Sequence, residues 1–174
     1  MTTADEARTE EQVAEDGLWP CTELGGPEQR TSNRHCAIAT VLCRIPETDY
    51  QKLKEAARSF TWFIPLYEEY GIVYPFAVTH GGEGSGTGRI GRAYARVLYL
   101  SPRLERSARD IVIAVVAHEL AHIAVCEEYS HPDSAEGKTQ EDIVFQRICE
   151  WGFRREAEKH RALNKRRAHS RAFG

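Results

Sequence analysis

The sequence predicts an α+β fold in which a small three- to four-stranded sheet packs on helices. Three apolar, β-branched or aromatic segments, 34–45, 72–79 and 92–100, have the composition of strands. The segment 111–126 is apolar on all sides apart from a short polar motif, which is typical of a buried helix. Pairs of residues with the spacing of helix N-terminal caps precede the predicted helices.

The helix expected after the first strand begins near Thr48, which stands three residues before Gln51, the spacing of a capping box. Pro65 removes a backbone donor, so this helix is expected to break or restart at 62–64. The strand predicted at 72–79 contains Pro75, which indicates an edge position or a bulge.

Two further helices are predicted in the second half of the chain. Ser107 stands three residues before Asp110, so the apolar helix is expected to start there and to run to Tyr129. Thr139 stands three residues before Asp142, which predicts the start of a last helix. The apolar residues of that last helix are Ile143, Val144, Ile148, Trp151 and Phe153.

Composition and charge divide the 174 residues into three parts. Residues 1–33 are expected to form an acidic, partly disordered arm, because 1–16 hold six acids and one base. Residues 34–153 have the length and apolar content of one domain. Residues 154–174 hold eight bases and two acids and are expected to form a basic helix or tail. The net charge of −3 indicates no particular partner.

The five cysteines are odd in number and include no C-x-x-C pair, which argues against a disulfide framework and against a cysteine zinc knuckle. The N-terminus lacks a basic start followed by an apolar stretch, and no uninterrupted apolar run has the length of about 18 residues that a membrane span needs. The expected compartment is the reducing cytoplasm, without membrane attachment.

The chemistry of the chain centres on His118-Glu119-Leu120-Ala121-His122. Positions i and i+4 lie on one face of a helix, so the two imidazoles can reach a single point. Glu119 lies about 100° round the helix, beside that point. Two histidines, an open coordination position and a nearby carboxylate are what a catalytic Zn²⁺ site needs. The alternative is a pair of core histidines that are hydrogen-bonded to the protein. Burying two imidazoles and a carboxylate costs several kcal/mol unless they find partners, and either a metal or protein groups could supply them.

The residue types and their spacing do not decide which side chain is the third metal ligand. Glu141 lies in the first turn of the last helix, from which its side chain can point at a neighbouring helix or compensate the helix dipole. His131 lies in a loop, where it can bind the metal, act as a donor above it or face solvent. The other candidates are Glu128, Asp133, Glu136 and Asp142.

A glycine run contains Gly86-Thr87-Gly88-Arg89-Ile90-Gly91, which spells G-x-G-x-x-G. A dinucleotide site needs this motif after a strand and at the start of a helix, whereas here it precedes a predicted strand. A mobile loop beside a cleft is the better interpretation.

The order of these elements resembles the SprT-like zinc metallopeptidases over residues 60–155. The resemblance is carried by Gly91-Arg92-Ala93-Tyr94, by 97–102, by the H-E-x-x-H motif and by the region of Phe145. It implies a zincin-like fold with bound Zn²⁺ and a third ligand four residues before Phe145. That position is Glu141 here, where the family has histidine. The four-cysteine ribbon of many family members is missing.

The predicted function is therefore that of a zinc-dependent metallopeptidase acting on a peptide or protein. His118, His122 and Glu141 would hold Zn²⁺, and Glu119 would be the general base towards water. His131 is the first choice as a second donor to the developing oxyanion.

Tyr94 and Tyr129 are alternatives for that donor, and the third predicted strand could align an extended substrate by β-addition. Two other functions remain open. A zincin-like metal enzyme could act on a non-peptide small molecule. The basic segment 154–171 could instead make contact with DNA, as part of a nucleic-acid-associated binding module.

Overall fold

A computed structural model describes residues 8–19, 32–56, 60–64, 77–80, 96–125 and 140–172. The helices of these residues are α1 (Glu10–Glu15), α2 (Asn33–Leu42), α3 (Glu47–Ala56), α4 (Arg109–Ala124), α5 (Gln140–Glu150) and α6 (Arg154–Ala172). The strands are β1 (Phe60–Phe63), β2 (Ala77–His80) and β3 (Arg96–Leu100), and a 3-10 turn spans Pro102–Arg106.

The predicted α+β, zincin-like fold class is wrong, because the described chain is mostly helical. Its two longest helices, α4 and α6, have 16 and 19 residues, whereas no described strand exceeds five residues. Strand pairing is therefore a minor part of the described structure, and the sheet does not form the main layer against which the helices pack.

The first predicted strand, 34–45, is instead the helix α2 with the turn that follows it. The Ser32 side chain accepts a hydrogen bond from the His35 amide and so caps the helix start. The apolar residues that are at most 1% exposed follow a helical period, not an alternation of two. They are Ala37, Ile38, Val41, Leu42 and Ile45.

The expectation that the preceding helix breaks or restarts at 62–64 is also wrong, because Phe60–Phe63 form β1. Three of its four residues are aromatic, which favours a strand. The Trp62 indole donates a hydrogen bond to the Leu18 carbonyl at 2.9 Å, so β1 lies beside the N-terminal segment. There, Val13 and Leu18 are fully buried and the Arg8 guanidinium lies 3.8 Å from the Tyr50 ring centroid.

The three strands pair in the order β1-β3-β2. β3 is parallel to β1, with Phe60 opposite Arg96, and antiparallel to β2, with Ala77 opposite Leu100. β3 is thus paired on both sides. This contradicts the expectation that the third strand aligns an extended substrate by β-addition, which needs an unpaired strand edge.

Helix α4 is the central element of the described fold, because α2, α3, α5, α6 and β2 all contact it. Every residue from Val112 to Ala117 is buried, as expected for a helix that is apolar on all sides. The expected Ser107 cap is wrong, because Ala108 is the N-cap residue and makes no side-chain hydrogen bond. The Ser107 hydroxyl donates to the Arg103 carbonyl of the 3-10 turn instead.

The predicted last helix is two helices, α5 and α6, separated at Gly152. Gly152 has a φ of +84°, and the Phe153 amide donates to the Ile148 carbonyl at 3.1 Å. The Gly152 amide donates to the Cys149 carbonyl at 3.0 Å, which completes a Schellman motif. The chain therefore turns after α5, and Phe153 enters the core at the start of α6.

Gly152→Ala is expected to lower the free energy of unfolding by about 1–2 kcal/mol, because a side chain disfavours the left-handed conformation. A Cβ atom there would lie 3.6 Å from the Arg44 guanidinium, an ordinary contact, so backbone strain is the cause. Urea unfolding would measure the change. Gly152→Asn is the control and should lose less, since asparagine tolerates this conformation. Equal losses in the two variants would contradict the argument.

No described helix is both long enough and apolar enough to span a membrane.

Candidate metal centre

Helix α4 places His118 and His122 one turn apart, with their rings in contact. The two Nε2 atoms are 3.1 Å apart. The ring centroids are 4.6 Å apart and the ring planes meet at 82°. The side chains are 20% and 15% exposed, so both rings lie at the edge of the core with their Nε2 atoms directed to one point.

Glu141, in the first turn of α5, faces the same point. One carboxylate oxygen lies 3.5 Å from the His118 Nε2 atom, and the other lies 3.5 Å from the His122 Nε2 atom. The Glu141 side chain is 62% exposed, so the carboxylate closes the outer side of the cluster only in part. Glu141 is distant in sequence from the two histidines, and the packing of α5 on α4 brings the three side chains together. Local sequence patterns do not predict such a contact.

The dimensions of this cluster fit a single divalent ion. Two ligand atoms bound to Zn²⁺ at about 2.0–2.1 Å and at a tetrahedral angle lie about 3.3–3.4 Å apart. The observed separations of 3.1 and 3.5 Å lie on either side of that value. Two imidazoles and a carboxylate are also a recurrent ligand set of catalytic zinc. The 3.1 Å separation equally permits one neutral ring to donate a hydrogen bond to the other, which is the alternative drawn from the sequence.

The pKa values of His118 and Glu141 are both shifted in the direction that disfavours the charged form. Burial lowers the pKa of His118 to about 3, and the nearby His122 and His160 rings act in the same direction. Loss of hydration raises the pKa of the Glu141 carboxyl, while the positive charge of Arg161 opposes that rise. A neutral imidazole keeps the ring-nitrogen lone pair that metal binding requires.

Glu119, the expected general base, lies on α4 between the two histidines in sequence and is 6% exposed. Asp142, one of the candidate ligands, instead forms an ion pair with Arg161 of α6. His131, the expected oxyanion donor, lies outside the described residues. The same is true of the alternatives Glu128, Asp133, Glu136, Tyr94 and Tyr129 and of the glycine run.

Sequence reasoning missed His160, whose ring lies 5.5 Å from the His118 ring at an angle of 69°. The basic composition of 154–174 concealed it, since that segment was expected to be a solvated helix or tail. A signal was present in the spacing: Phe153, Ala157 and His160 stand at i, i+4 and i+7, which is one face of a helix, and Phe153 and Ala157 prove to be buried.

Searches of protein families, of curated proteins and of solved structures found no match to this chain. The resemblance to the SprT-like metallopeptidases therefore stays a prediction from the sequence.

Proposed function

We propose that this chain is a zinc-dependent metallopeptidase in which His118, His122 and Glu141 hold the ion. The observation that supports this proposal is the convergence of three ligand atoms, all within 4.8 Å of one another, from two helices that pack together. Exposed acidic clusters are common without a metal. Here, however, two imidazoles share the cluster with the carboxylate, and burial keeps that of His118 neutral.

The open side of the cluster favours catalysis over a structural role. Structural zinc sites are closed by four protein ligands, whereas catalytic sites have three and leave a position for water or substrate. In the described part of the chain the cluster has three members, and its glutamate is 62% exposed. A substrate could therefore approach from the side of Glu141.

The residues have distinct roles in this proposal. A bound Zn²⁺ would polarise the substrate carbonyl and lower the pKa of water at the site. Glu119 would accept a proton from the attacking water and donate it to the leaving amine. Glu119 is buried on α4, directly after the proposed ligand His118, with 6% of its surface exposed.

The purified chain is expected to contain one zinc ion. Glu141→Gln is expected to weaken the binding of that ion, and His122→Ala is expected to abolish it. Loss of a ligand should lower the Zn²⁺ affinity by more than the roughly 10- to 100-fold typical of residues that only support the ligands. Elemental analysis would give the stoichiometry, and competition with a chromophoric chelator would give the affinity.

Glu150→Gln is the matched control, since Glu150 is an exposed carboxylate on the same helix as Glu141. It should bind Zn²⁺ as tightly as the wild-type chain. A wild-type chain that binds no zinc, or a His122→Ala variant that binds it undiminished, would overturn the proposed metal centre.

A further inference from the structure

Three consecutive residues of α6 contact the two helices that carry the cluster. Lys159 forms an ion pair with Asp110 at the start of α4. The His160 ring packs edge-on against the His118 ring, with centroids 5.5 Å apart. Arg161 forms an ion pair with Asp142 in the first turn of α5. Helix α6 thus contacts α4 at its first turn and at His118 itself, and contacts α5 at the residue that follows Glu141.

Arg161 contacts the first part of α5 at two points. Its guanidinium pairs with Asp142, which directly follows Glu141, and lies 4.0 Å from the ring centroid of Phe145, one turn further on. A planar guanidinium that both pairs and stacks is restricted in orientation. The first turn of α5 is therefore held against α6 through the residue that follows Glu141 and through Phe145, four residues after Glu141.

The solvent exposure of the Arg161–Asp142 ion pair bears on whether the pair stabilises the fold or positions Glu141. The side chains of Arg161 and Asp142 are 43% and 44% exposed, and ion pairs of that exposure contribute little to folding stability. A small shift of the glutamate would matter far more to a metal site, whose ligands need positions within about 0.5 Å of the productive geometry.

We propose that α6 positions the ligands of the metal centre: Arg161 holds the turn that carries Glu141, and His160 holds the ring of His118. This inference rests on the proposed function. It makes α6 part of the site, although the cluster of ligand atoms in the described residues includes neither Arg161 nor His160. Residues that support metal ligands commonly act in this way.

Arg161→Gln is expected to lower the Zn²⁺ affinity by roughly 10- to 100-fold, as other supporting residues do. The urea midpoint of the metal-free chain should change little, because an exposed ion pair and an exposed guanidinium–aromatic contact each contribute little to stability. Arg154→Gln is the matched control on the same helix, since the Arg154 pair with Glu158 is 3.9 Å long and lies within α6. It should leave the affinity unchanged.

A double-mutant cycle distinguishes positioning from a general structural effect. If Arg161 acts through Glu141, then Arg161→Gln should have little further effect on Zn²⁺ affinity in a Glu141→Gln background. An equal loss in both backgrounds would overturn the positioning role. His160→Phe keeps a ring against His118 and should retain affinity that His160→Ala loses. Equal losses in those two variants would remove His160 from the proposal.

The failure of this inference is distinct from that of the proposed function. A wild-type chain that binds no Zn²⁺ overturns the metal centre itself. A wild-type chain that binds Zn²⁺, together with an Arg161→Gln variant that binds it equally tightly, overturns only the positioning role of α6.

Discussion

Glu119→Gln is expected to abolish peptide hydrolysis while the metal stays bound. Glutamine has nearly the same shape as glutamate but cannot accept the proton of the attacking water, and general-base catalysis typically contributes about 10²–10⁴-fold to the rate. Because Glu119 is 6% exposed, the nearly isosteric change also limits any disturbance of packing. The kcat for cleavage of an unfolded protein such as casein would measure the loss, and elemental analysis would measure the zinc.

The outcomes of that experiment separate three cases. Full activity in Glu119→Gln would show that Glu119 is not the base. Loss of both zinc and activity would give Glu119 a structural role at the site. Glu150→Gln, an exposed change on α5, should keep both properties. A wild-type chain that binds zinc but cleaves no peptide would favour the alternative of a non-peptide substrate.

Asp49→Asn is expected to cause the largest loss of stability, about 2–4 kcal/mol, because it removes one partner of a buried charged network. One Asp49 oxygen accepts from Arg147 at 2.6 Å and the other accepts from the Trp151 indole at 2.8 Å. The Asp49 side chain is only 8% exposed, so the lost charge is not replaced by water. These bonds join α3 to α5 and to the residue that follows it. Urea unfolding would measure the change.

Glu150→Gln is again the matched control, because Glu150 is the second carboxylate that pairs with Arg147, at 3.1 Å. Its side chain is 50% exposed, so its loss should cost less than about 1 kcal/mol. Equal losses in the two variants would show that burial of the Asp49 pair does not decide its contribution.

The network of Asp49, Arg147 and Trp151 should make the free energy of unfolding depend on pH. Burial alone would raise the pKa of Asp49, but the hydrogen bonds from Trp151, Arg147 and Lys52 and the charge of Arg147 together outweigh it, and the net pKa lies below the usual value. A carboxyl with a lowered folded-state pKa stabilises the fold above its unfolded pKa of about 3.9 and loses this contribution as pH falls through the folded value. The stability difference between wild type and Asp49→Asn should therefore shrink below about pH 4.

The fold was only partly predictable from the sequence, and α2 shows why. Its β-branched residues favour a strand, but Ser32 and the spacing of Ala37, Ile38, Val41 and Leu42 favour a helix. Propensity is a weak guide where packing decides, and the helical period was the stronger signal. The division of the last helix at Gly152 was readable in principle, since glycine after an apolar helix is a common termination signal.

The sequence by itself determined that His118 and His122 are neighbours, because a four-residue spacing places both side chains on one face of a helix. It also singled out Glu141 as one of several candidates for a third ligand. Only the tertiary structure decided that Glu141 faces both rings, that Asp142 turns to Arg161, and that His160 lies against His118. The physical reason is that these contacts join separate helices. Their relative placement depends on packing of the whole core around α4, which no local pattern of residues encodes.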